Sequence, residues 1–84
     1  MSDQIVIAEL REFVAREFLH GKDDGLDAAT PLIELGIIDS VAIVVLSDFV
    51  LRRFGVTIPN AELKPSNLAT LQTIASMVNR LRQA

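Results

Sequence analysis

The sequence predicts an all-α fold of four helices, the third of them short. Residues 6–18 and 71–81 repeat apolar side chains every three or four positions, the spacing of one helix face. A third stretch, 40–54, is bracketed by residues that start and stop helices, with Asp39 and Ser40 before it and Gly55 after it. Between these stretches, Gly21, Gly25, Pro31 and Pro65 argue against longer elements.

The first helix is expected over about 3–19, capped by Ser2 or Asp3. Val6, Leu10, Phe13, Val14 and Phe18 form its apolar face, with Ile7 beside them. Glu9, Glu12 and Arg16 lie opposite, and the i,i+4 order of Glu12 and Arg16 is the favourable one. His20, near the helix end, suits a surface position where a cationic imidazole would offset the helix dipole.

The connection from His20 to Asp39 is long for a compact domain unless it is functional or packed by its own side chains. Leu26, Leu32, Leu35 and Ile37 or Ile38 are the candidates for that packing. Asp23, Asp24 and Asp27 suggest a calcium loop at first sight. The pattern lacks the closing bidentate Glu and the regular alternation of ligands, so a solvated acidic loop and no metal are expected.

The second helix, 40–54, has no clean polar face. Two apolar stripes run along it: Ile43, Leu46, Val50 and Phe54 on one side, and Val41, Val45 and Phe49 on the other, edged by Val44 and Arg52. So small a domain cannot easily bury a helix all round, so one stripe either faces a partner or completes the core. Asn60 is expected to cap a short helix over 60–63 that Pro65 stops. The last helix, 70–82, places Leu71, Ile74, Ala75, Val78 and Leu81 on one face, its approach tied down by Ser66 or Asn67.

Composition narrows function. A chain of 84 residues makes one small domain near the lower limit for a self-sufficient core, and with half its residues hydrophobic it is not expected to be disordered. There is no cysteine, so any thiol chemistry must come with a cofactor. The basic residues are scattered, the net charge is −3, and Trp and Tyr are absent, which argues against nucleic acid binding. No apolar run approaches the ~18 residues of a membrane span, and the N-terminus lacks a basic region followed by an apolar one, so a cytoplasmic protein is expected.

Asp39-Ser40 at the start of the second helix is the chemical focus. Ser40 is a poor candidate for a hydrolase nucleophile. Gly36 lies four residues before it, no glycine follows closely to build a Gly-x-Ser-x-Gly elbow, and His20 is the sole histidine. An anionic ester on Ser40 is easier to rationalise, because unpaired amides at a helix N-terminus favour a nearby anion.

Leu35-Gly36-Ile37-Ile38-Asp39-Ser40 resembles the attachment motif of acyl and peptidyl carrier proteins. Thr30-Pro31-Leu32, Phe54-Gly55-Val56-Thr57-Ile58-Pro59 and Leu68-Ala69-Thr70-Leu71-Gln72-Thr73-Ile74 extend the likeness over nearly the whole chain. It implies a single four-helix carrier domain over 1–84, with a long first loop and a short third helix. It implies that Ser40 receives a 4′-phosphopantetheine arm from coenzyme A, and that Asp39 caps the helix and is read by the phosphopantetheinyl transferase. The arm then carries an acyl or aminoacyl group as a thioester between enzymes, and the chain itself is no enzyme. The other implied partners are an adenylating or acyl-loading enzyme and downstream tailoring or condensing enzymes, with the carrier a monomer. Aligned with carriers, the first stripe of the second helix goes to the core. Val41, Val44, Val45, Asp48, Phe49 and Arg52 then face partners. Fatty-acid carriers usually place one residue between the glycine and Asp-Ser; here there are two, Ile37 and Ile38. That spacing is similar to stand-alone peptidyl and D-alanyl carriers and points to nonribosomal peptide or polyketide type natural-product biosynthesis. The alternative is an unmodified helical adaptor that docks a partner through the same apolar stripe.

Overall fold

Each long helix begins where the sequence offers a side-chain oxygen to its unpaired amides. The computed structural model describes residues 2–22 and 25–83, and no strand occurs among them. Helix α1 spans Asp3–Phe18, with Ser2 Oγ accepting from the Ile5 amide at 3.3 Å. It buries Val6, Ile7, Leu10, Phe13, Val14 and Ala15, and leaves Phe18 half-buried. At its end the Ala15 carbonyl accepts from the amides of both Leu19 and Gly21. His20 sits between these two in a left-handed conformation, φ 54°. It therefore helps close the helix through its backbone, and its imidazole is exposed.

Helix α2 spans Ser40–Phe54 and ends at Gly55, whose φ of 71° suits a residue without Cβ. A 3-10 turn follows at Asn60–Glu62, then α3, Pro65–Leu68, and α4, Leu71–Gln83. Here the structure corrects the sequence reading. Asn60 is the first residue of the turn rather than its cap, and Pro65 opens a helix instead of stopping one. Proline suits a first helical position because it has no amide hydrogen to leave unpaired and its φ is already set. Asn67 does tie down the approach to α4, donating through Nδ2 to the Glu62 carbonyl at 2.9 Å and to Glu62 Oε1 at 3.0 Å. Arg80 on α4 donates to the same carboxylate at 2.6 Å, and this bond is the main cause that holds the Glu62 carboxyl below its ordinary value. Thr70 and Thr73 cap α4 reciprocally, each hydroxyl accepting from the other's amide at 3.1 Å.

Helix α4 packs most closely with α1. Asp3 at the start of α1 accepts from Gln72 and Asn79 on α4, which fixes the helix pair at its polar margin. Leu71, Ile74, Ala75, Met77 and Val78 join Val6, Leu10 and Val14 in one buried cluster, and Leu81 packs at its edge. Met77 is an addition to the expected face.

Helix α2 lies against α1 through aromatic rings. Phe13 stacks on Phe49 with centroids 4.0 Å apart, while Phe18 and Phe54 meet this pair edge-on. Glu9 pairs with Arg53 along the same seam. Moving four residues forward on α1, from Glu9 to Phe13, corresponds to moving four back on α2, from Arg53 to Phe49. The two helices are therefore antiparallel, and the end of α1 lies level with the start of α2.

Candidate functional site at the start of the second helix

The loop that leads to Ser40 is pinned by its backbone. The Leu32 amide donates to the Ala69 carbonyl at 2.8 Å, and the Leu32 carbonyl accepts from Ile37 and Ile38. Gln72 reaches the Ala28 carbonyl at 3.0 Å, so the loop is held at two points to the start of α4. Leu26, Leu32 and Ile38 are buried and Ile37 is half-buried, which supplies the packing a loop of this length needs. Leu35 departs from expectation. The turn through Pro31–Leu35 and Ile33–Gly36 bonds directs it outward, and it is 62% exposed. Gly36 ends this turn at φ 72°, a conformation that side chains with Cβ rarely adopt.

Asp27 is engaged locally. Its carboxylate accepts from the Ala29 amide at 2.8 Å and its amide donates to the Thr30 hydroxyl. Asp23 and Asp24, the other members of the acidic run, lie outside the described residues.

Asp39 is the N-cap of α2. Its Oδ1 accepts from the Ala42 amide at 2.9 Å and its carbonyl accepts from Ile43 at 3.0 Å. Ser40 is thereby fixed as the first helical residue and is exposed. Among the described residues, no hydrogen bond engages its hydroxyl, from His20 or from any other group. Part of the Asp39 charge is directed onto an amide, and the remaining N-terminal amides of α2 lie beside Ser40. A phosphodiester anion has access there, with a dipole contribution of about 0.3–1 kcal/mol at an exposed site set against the like charge of Asp39.

The helix is turned differently from expectation. Its buried line is Ala42, Leu46 and Val50, roughly 40° from the centre of the predicted inner stripe at about 100° per residue. Phe54 and Ile43, expected inside, are half-buried on one flank. Val45 and Phe49, expected to face partners, are half-buried on the other. The cause for Phe49 is its stack on Phe13. Val41 and Val44 remain 72% and 68% exposed, and Asp48 and Arg52 are exposed and paired at 3.0 Å. Leu51 joins this face. It lies seven residues after Val44, two helical turns, so its spacing was a usable signal; Leu35 was expected to pack the loop, and nothing in the sequence marked it as exposed.

Comparison with known proteins agrees with this geometry. Residues 8–81 match the family model described as phosphopantetheine attachment site. The chain is 44% identical over 75 residues to "Probable acyl carrier protein PigG" of Serratia sp. (strain ATCC 39006), covering 89% of this chain and 86% of that protein. It also matches, at 39% identity and a TM-score of 0.77, a chain from "Crystal structure of FAD-dependent dehydrogenase", covering 82% of this chain and 97% of that one. Carriers of this kind work with the transferase that installs their arm and with biosynthetic enzymes, and they hold cargo without transforming it. The chain belongs to the phosphopantetheine attachment family: it is a carrier protein rather than an enzyme, and its cofactor is covalent 4′-phosphopantetheine.

Proposed function

We propose that Ser40 carries the arm and that the protein shuttles an acyl or aminoacyl group in natural-product biosynthesis of the nonribosomal peptide or polyketide type. The observation that carries the assignment is the exposed, unengaged hydroxyl of Ser40 held at the first position of α2 by the Asp39 cap. When bound, the arm supplies the thiol that this cysteine-free chain lacks and holds cargo as a thioester. Asp39 keeps the serine's backbone fixed and offers a carboxylate for the transferase to read. Tethering raises the effective concentration of cargo at each partner's active site, which is the carrier's physical contribution.

Partners dock on the exposed face of α2, through Val41, Val44, Asp48 and Arg52, extended by Leu51 and Leu35. They comprise a phosphopantetheinyl transferase, an adenylating or acyl-loading enzyme, and tailoring or condensing enzymes. The likeness to a chain of carrier size in a structure titled for an FAD-dependent dehydrogenase supports flavin-dependent dehydrogenation as one tailoring step. The two-residue spacer Ile37-Ile38 supports a peptidyl rather than a fatty-acid carrier. The protein acts as a cytoplasmic monomer; no described helix is long and apolar enough to cross a membrane.

Intact mass after incubation with coenzyme A and a broad-specificity phosphopantetheinyl transferase tests the assignment. The wild-type chain is expected to gain one phosphopantetheine, and Ser40→Ala none while keeping its helical spectrum. Modification of Ser40→Ala at another residue would overturn the site. Persistent absence of modification in the wild-type chain would favour the adaptor.

A further inference from the structure

Glu62 ties together three elements: the 3-10 turn it closes, α3 and α4. Its carboxylate accepts from Asn67 on α3 at 3.0 Å and from Arg80 on α4 at 2.6 Å. Its carbonyl accepts from the same Asn67 side chain at 2.9 Å. Helix α3 is four residues long, too short to keep its place by helix propensity alone. Fully buried Leu68 and this carboxylate hold it. The turn that follows α3 is fixed on its other side by the reciprocal cap of Thr70 and Thr73.

That turn is where the loop leading to Ser40 is fastened. The Ala69 carbonyl accepts from the Leu32 amide at 2.8 Å. The Gln72 amide, in the first turn of α4 and so without a helical partner, donates to the Ala28 carbonyl at 3.0 Å. Leu32 in turn holds the residues just before the site, its carbonyl accepting from Ile37 at 2.9 Å and Ile38 at 3.2 Å. Ile38 is two residues from Ser40, a chain span of at most about 7 Å. Leu32 is fully buried and Ile38 nearly so, which leaves this path little slack. Resting on the assignment of the arm to Ser40, we propose that Glu62 and Asn67 are positioning residues for modification of that serine. They hold the turn that holds the loop, so that Asp39, Ser40 and exposed Leu35 meet the transferase in one arrangement. Among the described residues, no hydrogen bond joins either of them to the serine. A loop released from the turn must be ordered each time the transferase binds, and that cost falls on association rather than on the transfer step.

The test compares Asn67→Ala and Glu62→Ala, which break the clamp, with Glu62→Gln, which keeps an acceptor for Asn67. Amide hydrogen exchange is followed by NMR on the whole apo chain. KM and kcat are measured for transfer from coenzyme A by a broad-specificity phosphopantetheinyl transferase, with the carrier as varied substrate. In both alanine variants the amides of Leu32, Ile37 and Ile38 are expected to exchange faster. KM for the carrier should rise about threefold to tenfold, the scale of one lost hydrogen bond, with kcat kept. Glu62→Gln should fall between these variants and the wild type. Phe13→Leu loosens the α1–α2 seam and touches no bond of this path, so it should lower the melting temperature without raising KM. Unchanged exchange at Leu32 and Ile38 in Asn67→Ala, or a KM rise in Phe13→Leu as large as in Asn67→Ala, overturns the proposal. Modification of both alanine variants with wild-type KM overturns it too and leaves the attachment standing. A wild-type chain that gains no mass removes the attachment to Ser40, and the positioning role with it.

Discussion

Phe49→Ala is expected to destabilise the fold by about 2–4 kcal/mol rather than act as a clean docking mutant. Full burial of a Phe side chain contributes about 1.5–3 kcal/mol, and half-burial roughly half of that. Two ring contacts add about 0.5–1.5 kcal/mol each. One is the stack on Phe13 at 4.0 Å and 15°, and the other the edge contact with Phe54 at 6.0 Å and 90°. For a domain of this size each kcal/mol moves the melting temperature by about 4–8 °C, so thermal unfolding followed by circular dichroism should shift down by roughly 10–30 °C. A double-mutant cycle with Phe13→Ala should return a coupling of about 0.5–1.5 kcal/mol. Phe49→Glu should be worse. It would add a carboxylate to a crevice that already holds Glu9 and Glu12 beside Arg16 and Arg53. An unchanged melting temperature and zero coupling with Phe13, together with lost cargo loading, would refute the seam and return Phe49 to the partner face.

Other outcomes follow from the same packing. Leu46→Ala, at a site 1% exposed, should cost about 2–5 kcal/mol in chemical denaturation, and half-buried Phe54→Ala less than the 3–5 kcal/mol of a fully buried ring; the reverse order would mean that α2 is turned the other way. Glu62 has a folded-state pKa lowered from 4.5, chiefly by the Arg80 hydrogen bond. Its contribution is therefore present above that value and lost as pH falls through the lowered one, and Glu62→Gln should flatten this part of the acid-unfolding profile. Val44→Glu, on the exposed face, should change stability by no more than about 0.5 kcal/mol while impairing cargo loading by the partner enzyme, with Ser40 still modified by the transferase; normal loading would remove Val44 from the docking surface.

Local chemistry made the helix starts legible. Ser2 and Asp39 each sit before an apolar-periodic run, and capping depends on atoms only two or three residues away; Thr70, read as the first residue of the last helix, is instead its cap. Gly55 ended α2 for an equally local reason. Pro65 was misread because proline both ends and begins helices, and which it does depends on whether the following residues find something to pack on; here Leu68 is fully buried. The rotation of α2 was beyond local reasoning. With apolar residues nearly all round, periodicity allows several inner faces, and the choice is made across the seam by Phe13 and by the small side chain of Ala42. Ala42, which belonged to neither predicted stripe, begins the buried line.

That rotation bears directly on how partners would engage the carrier. On the exposed face of α2 the two charged residues, Asp48 and Arg52, pair with each other at 3.0 Å, while Arg53 is drawn to Glu9 and lies over the Phe54 ring. Exposed i,i+4 pairs are worth little to stability. This one matters more for what it leaves, a face beside Ser40 whose charges largely cancel and whose area comes from Val41, Val44, Leu51 and Leu35. A partner with a basic patch would find little acid along this face beyond Asp39 to steer it, and charge steering is the component of association that salt weakens. Apolar burial is insensitive to such screening. Raising ionic strength from low to physiological should therefore slow cargo loading less than Val44→Glu does. A steep salt dependence with an indifferent Val44→Glu would place recognition on charged residues outside this face.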